Sequence, residues 1–358
     1  MKPTSSLTGR QQMPLFSPAV AIVLAYDVQA LLTKLLGGLL PPELPLAATA
    51  RVLDIACGAG NWVLDLAFAC PALSVVGVDR DAALIGHARA SARVQRLPNA
   101  HFTVVADMFH MTTIPGDTFD LVHARFLAGA VEPEQWVALL NELRRVCRAG
   151  GVVCWSEWGQ LLTNSPACNG GYQLFQRALS RAGGTTQATL LMHALLDELG
   201  WVHIQQSTSV LDLSAGTDAY ASVLAAGKGL FPAAGLWLEG MGLGDAEELA
   251  QLEQQVWIEL LAETFYATLP LVTVWGEKSP DPAPGRPQGS PLPYAKRPTR
   301  PVYGRGWACP RPGRGARSKP SHPISTQLPL LTTEPYLSGR SWFPSHRGAP
   351  SPAVRAGS

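Results

Sequence analysis

Charged residues are scarce in this chain, because Asp, Glu, Lys and Arg together make up 15% of its 358 residues while hydrophobic residues make up 47%. Such a composition excludes disorder along the whole length, since there is enough apolar surface to form a core. The six cysteines form no C-x-x-C pair and have no histidine partner at zinc-finger spacing. We therefore expect no metal site, a reducing cytoplasmic environment and thiols that act as small core residues.

A clean apolar run long enough to span a membrane is also lacking. The apolar stretch at 19–40 contains Asp27, Gln29 and Lys34, whereas a spanning helix needs about 20 predominantly apolar residues. Two glycines follow Leu36 at the end of the stretch, and glycine is a common helix terminator. The pattern predicts an amphipathic helix and no membrane span.

Acidic residues are nearly absent from the end of the chain. Residues 279–358 hold twelve Lys or Arg against two Asp or Glu, which leaves sixteen against twenty-five, a net charge of −9, on the first 278 residues. The same segment is rich in proline, glycine and serine and shows no helix or strand periodicity. We predict a flexible N-terminus at 1–20, one folded domain at 21–278, and a disordered basic tail at 279–358. Three interpretations of the tail are open: a solvated segment, a contact for nucleic acid or anionic surfaces, or read-through or frame-shifted sequence.

Within the folded part, short β-branched runs alternate with helical patterns, which is typical of a parallel sheet covered by helices on both faces. The predicted strands one to five are Arg51–Cys57, Ser74–Asp79, His101–Asp107, Thr118–Arg125 and Gly151–Trp158. The helices between them are Asn61–Cys70, Asp81–Leu97 and Pro133–Ala149. Beyond strand five we predict helices at Gly170–Ala182, Gln187–Leu199, Thr217–Phe231 and Asp245–Phe265, and strands at Val202–Leu213 and Leu271–Trp275.

The first strand runs into a glycine turn and then a helix, over Val52–Trp62. Glycine at positions 58 and 60 lets backbone N–H groups and the helix N-terminus approach a ligand, which a side chain would obstruct. A dinucleotide-binding fingerprint needs a third small residue where this chain has Val63. Asp54, just before the turn, suits a ligand that carries an ammonium or sulfonium group better than one that carries phosphates.

Two further acids follow successive strands. Asp79 ends strand two, where a carboxylate can accept hydrogen bonds from both hydroxyls of a ribose, and Asp107 ends strand three. Each of these aspartates taken alone fits a helix N-cap or a solvated loop residue. Three of them at one edge of a parallel sheet, where ligands bind in such folds, favour a nucleoside site.

With these residues in place, the chain resembles the class I methyltransferases that use S-adenosylmethionine (SAM). The resemblance implies a Rossmann-like, doubly wound, seven-stranded α/β sheet, mostly parallel with an antiparallel last strand, and extra lid helices above its carboxyl edge. It assigns the methionine part of SAM to Asp54 and the Gly58–Gly60 turn, the ribose to Asp79, and the adenine to Asp107 with Met108. The remaining candidate cofactor-binding residues are Ala56, Cys57, Arg80 and Arg125. Ala56 departs from the family, in which many members carry glycine there.

The sequence of the fourth strand indicates which group of methyltransferases the chain resembles. Phe119–Phe126 resembles the corresponding strand of small-molecule methyltransferases related to the quinone-biosynthesis group, and it lacks the Asn/Asp-Pro-Pro-aromatic signature of enzymes that methylate nucleic-acid amino groups. The resemblance therefore implies direct methyl transfer to a small organic acceptor, with no specific nucleic-acid partner. The sequence does not indicate an oligomeric state.

Catalytic residues are not identified by any motif. The candidates are His123 near the end of strand four and Glu157 at the tip of strand five, while Arg125 is placed to pair with an acidic substrate or with Glu157. His123 is equally a strand-end histidine with a structural hydrogen bond. The aromatic residues of the predicted lid are expected to be core residues more often than a substrate cage: Tyr220, Phe231, Trp237, Trp257 and Tyr266.

Two other functions remain open at this stage. One is a nucleotide-dependent oxidoreductase of the NAD type, which Asp54 and Val63 disfavour. The other is a binding or regulatory protein that keeps the fold without catalysis.

Overall fold

The computed structural model describes residues 28–44, 46–185 and 188–280. The predicted folded domain at 21–278 is therefore described except for residues 21–27, 45 and 186–187. The predicted flexible N-terminus at 1–20 and the predicted basic tail beyond residue 280 lie outside the described residues.

The described strands form one mixed sheet. They are β1 (Arg51–Ile55), β2 (Ser74–Asp79), β3 (Ala100–Val104), β4 (Phe119–Arg125), β5 (Cys147–Trp158), β6 (Leu162–Thr163), β7 (Trp201–Asp212) and β8 (Ala267–Lys278). The first five are parallel in the order β3-β2-β1-β4-β5, and β8 runs antiparallel between β5 and β7. This confirms the predicted fold class. The sheet has one strand more than predicted, because the two-residue β6 pairs with the start of β8.

Helices cover both faces of this sheet. Residues 28–36 form α1, and the others are α2 (Asn61–Ala69), α3 (Ala82–Val94), α4 (Trp136–Val146), α5 (Pro166–Arg181), α6 (Ala188–Glu198), α7 (Asp218–Gly240) and α8 (Ala246–Leu260). The end of α1 agrees with the prediction, since Gly37 has φ 67° and the N–H of Gly38 donates to Thr33 O.

Two hydrophobic cores lie on opposite faces of the sheet because side chains alternate along each strand. On β5, Val153 and Trp155 belong to the core that includes residues of α4 and α6, whereas Val152 and Cys154 belong to the core that includes residues of α2 and α3. This alternation decides which face each polar residue near the carboxyl edge points to.

The helices α5, α7 and α8 pack together as the predicted additional layer. By length and composition α7 is apolar enough to cross a membrane, yet its Trp237 and Leu238 are buried beside Ala178 and Leu179 of α5. The prediction that α7 ends at Phe231 was wrong. The helix continues through Pro232 to Gly240, and the packing of its last turns offsets the hydrogen bond that proline removes.

The lid aromatics are mainly packing residues, as expected. Phe231 and Trp257 meet edge to face with ring centroids 5.2 Å apart, and the hydroxyl of Tyr220 donates to Leu260 O. Trp237 is buried, whereas Tyr266 is exposed. Tyr266 is therefore not a core residue, contrary to the expectation for the lid aromatics.

Candidate functional site

The turn between β1 and α2 adopts left-handed backbone angles at three of its five residues, with φ 53° at Ala56, 56° at Gly58 and 80° at Gly60. A Cβ atom on Gly58 would have no atom within 4 Å, so this position faces open space. A Cβ atom on Gly60 would lie 2.5 Å from Cε1 of Phe102 and 2.8 Å from Cβ of Ala88. Gly58 is therefore the glycine that leaves room for a ligand, and Gly60 permits close packing of the turn on α3 and β3.

Asp79 is bonded directly to this turn. Its Oδ2 accepts the backbone N–H of Gly58 at 2.9 Å, and its Oδ1 accepts the N–H of Asp81 at 2.9 Å. Each oxygen keeps a lone pair for a further donor. The predicted neighbourhood of the glycine turn and the acid that ends β2 is present in the structure.

Cys57 belongs to this turn and carries a neutral thiol. Burial, with smaller contributions from Asp54 and Asp79, raises the pKa of Cys57 well above its ordinary value. Its Sγ would lie 2.8 Å from a Cβ on Gly77, so the sulfur fills the space above that glycine. The role of this side chain at the turn is packing rather than nucleophilic chemistry.

The alanine that departs from the family pattern is exposed and holds a left-handed conformation, which costs a residue with a Cβ about 1 kcal/mol. We predict that Ala56→Gly raises the free energy of unfolding by up to about 1 kcal/mol and leaves SAM affinity within about twofold. Urea denaturation and calorimetric titration of the two proteins measure both quantities. A lower unfolding free energy in the variant would contradict this account of the turn.

Asp54 and His123 form a buried pair across β1 and β4. They are partners in the parallel register, they are 4% and 3% exposed, and Nδ1–H of His123 donates to Oδ1 of Asp54 at 2.8 Å. The indole of Trp62 stacks on the imidazole with centroids 3.7 Å apart and the planes inclined by 9°. Burial lowers the pKa of His123 despite the neighbouring Asp54, so the imidazole is neutral near pH 7. This environment fits a positioning role for His123.

Arg125 lies on the same face, two residues beyond His123 on β4. Its Nη2–H donates to Oε1 of Gln29 on α1 at 2.8 Å, and Nε2–H of Gln29 donates to Oδ2 of Asp65 on α2 at 3.0 Å. The expected ion pair with Glu157 is absent among the described contacts, and that expectation was wrong. Ser156 is the cross-strand partner of Arg125, so the next residue, Glu157, points to the opposite face of the sheet.

Glu157 holds the segment that follows β4. Its Oε1 accepts N–H groups from Leu127 at 2.6 Å, Ala128 at 3.1 Å and the indole of Trp155 at 2.8 Å. Burial, partly opposed by these three donors, raises the pKa of Glu157 to about 7. The carboxyl group thus anchors the backbone of the segment that follows β4.

A raised carboxyl pKa in the folded state stabilises the protein below the unfolded value near 4.5, and this contribution disappears as the pH rises through 7. Glu157→Gln replaces the carboxyl group with an amide, which does not titrate. We predict that the unfolding free energy of the variant rises relative to the parent protein by about 3 kcal/mol between pH 4.5 and pH 8. Urea denaturation of both proteins across this range tests it. Parallel pH curves would show that Glu157 does not titrate in this way.

The third predicted acid is not at a strand tip. Because β3 ends at Val104, Asp107 lies three residues further on in an exposed loop, where its Oδ1 accepts the N–H of Phe109 at 2.8 Å. The neighbouring Met108 packs against the core that contains α4, and Arg80 is exposed beside Asp79. The prediction that Asp107 ends β3 was therefore wrong, although one carboxylate oxygen stays available in this loop.

An aromatic pair stands at the carboxyl ends of β4 and β5. The rings of Phe126 and Trp158 stack with centroids 5.1 Å apart and planes inclined by 7°, and the guanidinium carbon of Arg125 lies 5.8 Å from the Phe126 centroid. Phe126 holds φ 58°, a strained angle for a residue with a large side chain. Its N–H donates to Ser156 O, which helps to fix it there. The pair forms an apolar wall next to Arg125.

Comparison with known proteins shows which family the segment around this site matches. Residues 52–151, from the second residue of β1 into β5, match the family described as "Methyltransferase domain". The chain carries a class I SAM-dependent methyltransferase domain. The glycine turn, Asp79, the buried Asp54 pair and Arg125 all lie within this methyltransferase domain, whereas α1 with Gln29 and the lid helices lie outside the matched segment.

Relatives of known name match the methyltransferase domain over part of their length. Trans-aconitate 2-methyltransferase of Paracidovorax citrulli is 35% identical over 115 residues, 31% of this chain and 40% of that protein. The secondary metabolism regulator LAE1 of Cochliobolus heterostrophus is 30% identical over 97 residues, 26% of this chain and 29% of that protein. The chain thus spans less than half the length of these relatives.

Among solved structures, phosphoethanolamine N-methyltransferase 2 of Haemonchus contortus in complex with SAM aligns with 77% of this chain and 61% of its own length. The sequence identity is 12% and the TM-score is 0.47.

Three residues of the site were not predicted from the sequence: Gln29, Trp62 and Asp65. A signal for two of them was present, because Gln29 and Asp65 are polar residues inside otherwise apolar helical runs. Such residues are often paired when they are buried, and Gln29 is 4% exposed. Trp62 carried no such signal, since its apolar character fits any core position.

Proposed function

We propose that this protein transfers the methyl group of SAM to a small organic acceptor by direct displacement. The observation that supports the proposal best is the left-handed turn at Gly58, which faces open space and is hydrogen-bonded to the carboxylate of Asp79. SAM supplies an activated methyl group at its sulfonium, so the protein has only to bind and align the reactants and to exclude water.

On the cofactor side, Asp79 is the proposed ribose ligand, since its carboxylate oxygens each have one backbone donor and room for a hydroxyl. The backbone of Ala56–Gly60 is proposed to border the methionine part, next to Asp54. Asp107 and Met108 are proposed to border the adenine, where Asp107 is exposed and one of its carboxylate oxygens accepts the N–H of Phe109.

On the acceptor side, we expect apolar surface from the stacked rings of Phe126 and Trp158, from Leu161 between β5 and β6, and from the partly buried lid residues Tyr220 and Phe231. Such a surface favours an acceptor with an apolar or planar body. The name of the trans-aconitate methyltransferases makes an acidic acceptor a specific case to test, because Arg125 lies next to this wall.

Calorimetric titration of the full chain with SAM, S-adenosylhomocysteine and NAD tests the proposal. We expect binding of the first two ligands and none of NAD, since Val63 is fully buried in α2 where a dinucleotide fingerprint has a small residue. Binding of NAD without SAM would overturn the proposal in favour of an oxidoreductase.

A second experiment separates an enzyme from a binding protein. Incubation of the chain with methyl-labelled SAM and a metabolite extract should transfer label to a small molecule. SAM binding without any transfer would favour a regulatory role, a function that the name of the LAE1 relative also indicates for that protein.

A further inference from the structure

A groove lies between α3 and β3, the strand at one edge of the sheet. It has a volume of about 650 Å³ and includes the loop that joins α3 to β3. That loop is at the amino edge of the parallel strands, whereas the glycine turn after β1 is at their carboxyl edge. The α3–β3 groove is therefore separate from the glycine turn. Its lining combines arginines with apolar residues: Arg89, Arg93, Arg96, Leu97, Pro98 and Phe102.

Positive charge is concentrated around this groove. Residues 82–106 contain three Arg and two His and no Asp or Glu. The other residues up to 278 hold thirteen Lys or Arg against twenty-five Asp or Glu. Within the described part of the chain, Arg93 and Arg96 are exposed and neither guanidinium has a carboxylate oxygen within 4.0 Å. A basic groove on an otherwise acidic domain favours an anionic ligand.

The backbone at Arg96 is in a conformation that an arginine rarely adopts. The N–H of Leu97 donates to Ala92 O at 3.0 Å and the N–H of Arg96 donates to Arg93 O at 3.1 Å, which closes the end of α3. Arg96 has φ 56°, at a position where helices usually carry glycine. A residue with a Cβ atom is strained there. The strain is retained at a position that brings a second exposed cation to the groove, which indicates a binding role.

The edge strand offers backbone donors beside these cations. The N–H of Val105 donates to Asp79 O on β2, so the backbone groups of Phe102 and Val104 point away from β2. Nε–H and Nη2–H of Arg89 donate to Phe102 O at 3.0 and 2.9 Å. Among the described strands β3 pairs with β2 alone. Its outward N–H groups are therefore a template for a further strand.

We propose that the α3–β3 groove binds an extended acidic peptide segment of a partner protein, which adds a strand to β3 and places carboxylates against Arg93 and Arg96. Alternate side chains of a strand repeat about every 7 Å, and the four residues from Arg89 to Arg93 span about 6 Å of helix. Alternate glutamates can therefore follow the row of arginines. Leu97 and Pro98 supply apolar surface for the residues between them. The outward N–H groups favour a peptide over a nucleic acid, which pairs with no strand edge.

Fluorescence anisotropy of the full chain with a labelled peptide of eight alternating glutamate and valine residues tests the proposal. We expect saturable binding that weakens at least about tenfold when glutamine replaces every glutamate. The double variant Arg93→Gln, Arg96→Gln should also weaken binding of the acidic peptide at least about tenfold, because it loses the charge-assisted hydrogen bonds.

Two controls separate specific binding from general attraction. Lys228→Gln, at an exposed position on α7, should bind the acidic peptide as the unaltered chain does. A peptide with proline in place of each valine keeps its charge but cannot pair as a regular strand, and it should bind at least about fivefold more weakly. Urea denaturation of the variants shows that they are folded.

Four results would overturn the inference. They are an unaltered chain that does not bind the acidic peptide, equal binding of the glutamine peptide, a folded double variant that keeps full affinity, and equal binding of the proline peptide. A single-stranded oligonucleotide of the same charge that binds more tightly than the acidic peptide would assign the groove to nucleic acid instead. None of these results bears on SAM binding, which calorimetry of the same variants measures separately.

Discussion

Gly60→Ala should mainly lower stability and Gly58→Ala should mainly weaken SAM binding, although both replace a glycine of the same turn. Gly60→Ala should lower the free energy of unfolding by about 3 kcal/mol, because its Cβ would overlap Phe102 and Ala88 and its φ is positive. Gly58→Ala should cost only about 1 kcal/mol of stability, the penalty of the left-handed angle, since its Cβ meets no neighbour.

SAM affinity should show the reverse pattern. The Cβ that Gly58→Ala adds would project into the space proposed for the cofactor, so this variant should bind SAM at least tenfold more weakly while the protein stays folded. Urea denaturation and calorimetry of both variants measure the two effects. A Gly58→Ala protein with unchanged SAM affinity would show that the open space at the turn is not the binding site.

Asp79→Ala should weaken SAM binding by about 2 kcal/mol, close to thirtyfold. The variant loses a charge-assisted acceptor for the ribose and also the bond that fixes the N–H of Gly58. Calorimetric titration measures the change. Asp197→Ala, at an exposed position on α6, is a matched control and should bind SAM as the parent protein does. Unchanged affinity in Asp79→Ala would place the ribose elsewhere.

Sequence reasoning located the elements well where local chemistry dominates. β2 was predicted with its observed bounds, because a doubly buried parallel strand is a continuous apolar run that ends in a polar residue. The turn at Gly58 and Gly60 was also predicted, since glycine pairs of this kind mark positive φ angles. The reason given for Gly60 was wrong, because its missing side chain makes room for Phe102 rather than for a ligand.

The pairing of side chains between neighbouring strands was less predictable. Periodicity does not reveal the register between strands, so neither the Asp54–His123 pair nor the stack with Trp62 could be read from spacing. The wrong pairing of Arg125 with Glu157 shows the same limit, because a shift of one residue moves a side chain to the other face. The partner of Arg125 came instead from α1, outside the segment 52–151 that matches the methyltransferase family.

A crystal structure of the full chain with S-adenosylhomocysteine would show where the nucleoside binds. The account predicts ribose hydroxyls within hydrogen-bond distance of the Asp79 carboxylate, and the homocysteine part against the backbone at Gly58. A nucleoside bound away from this turn, or a turn that stays filled by side chains of the protein, would contradict it.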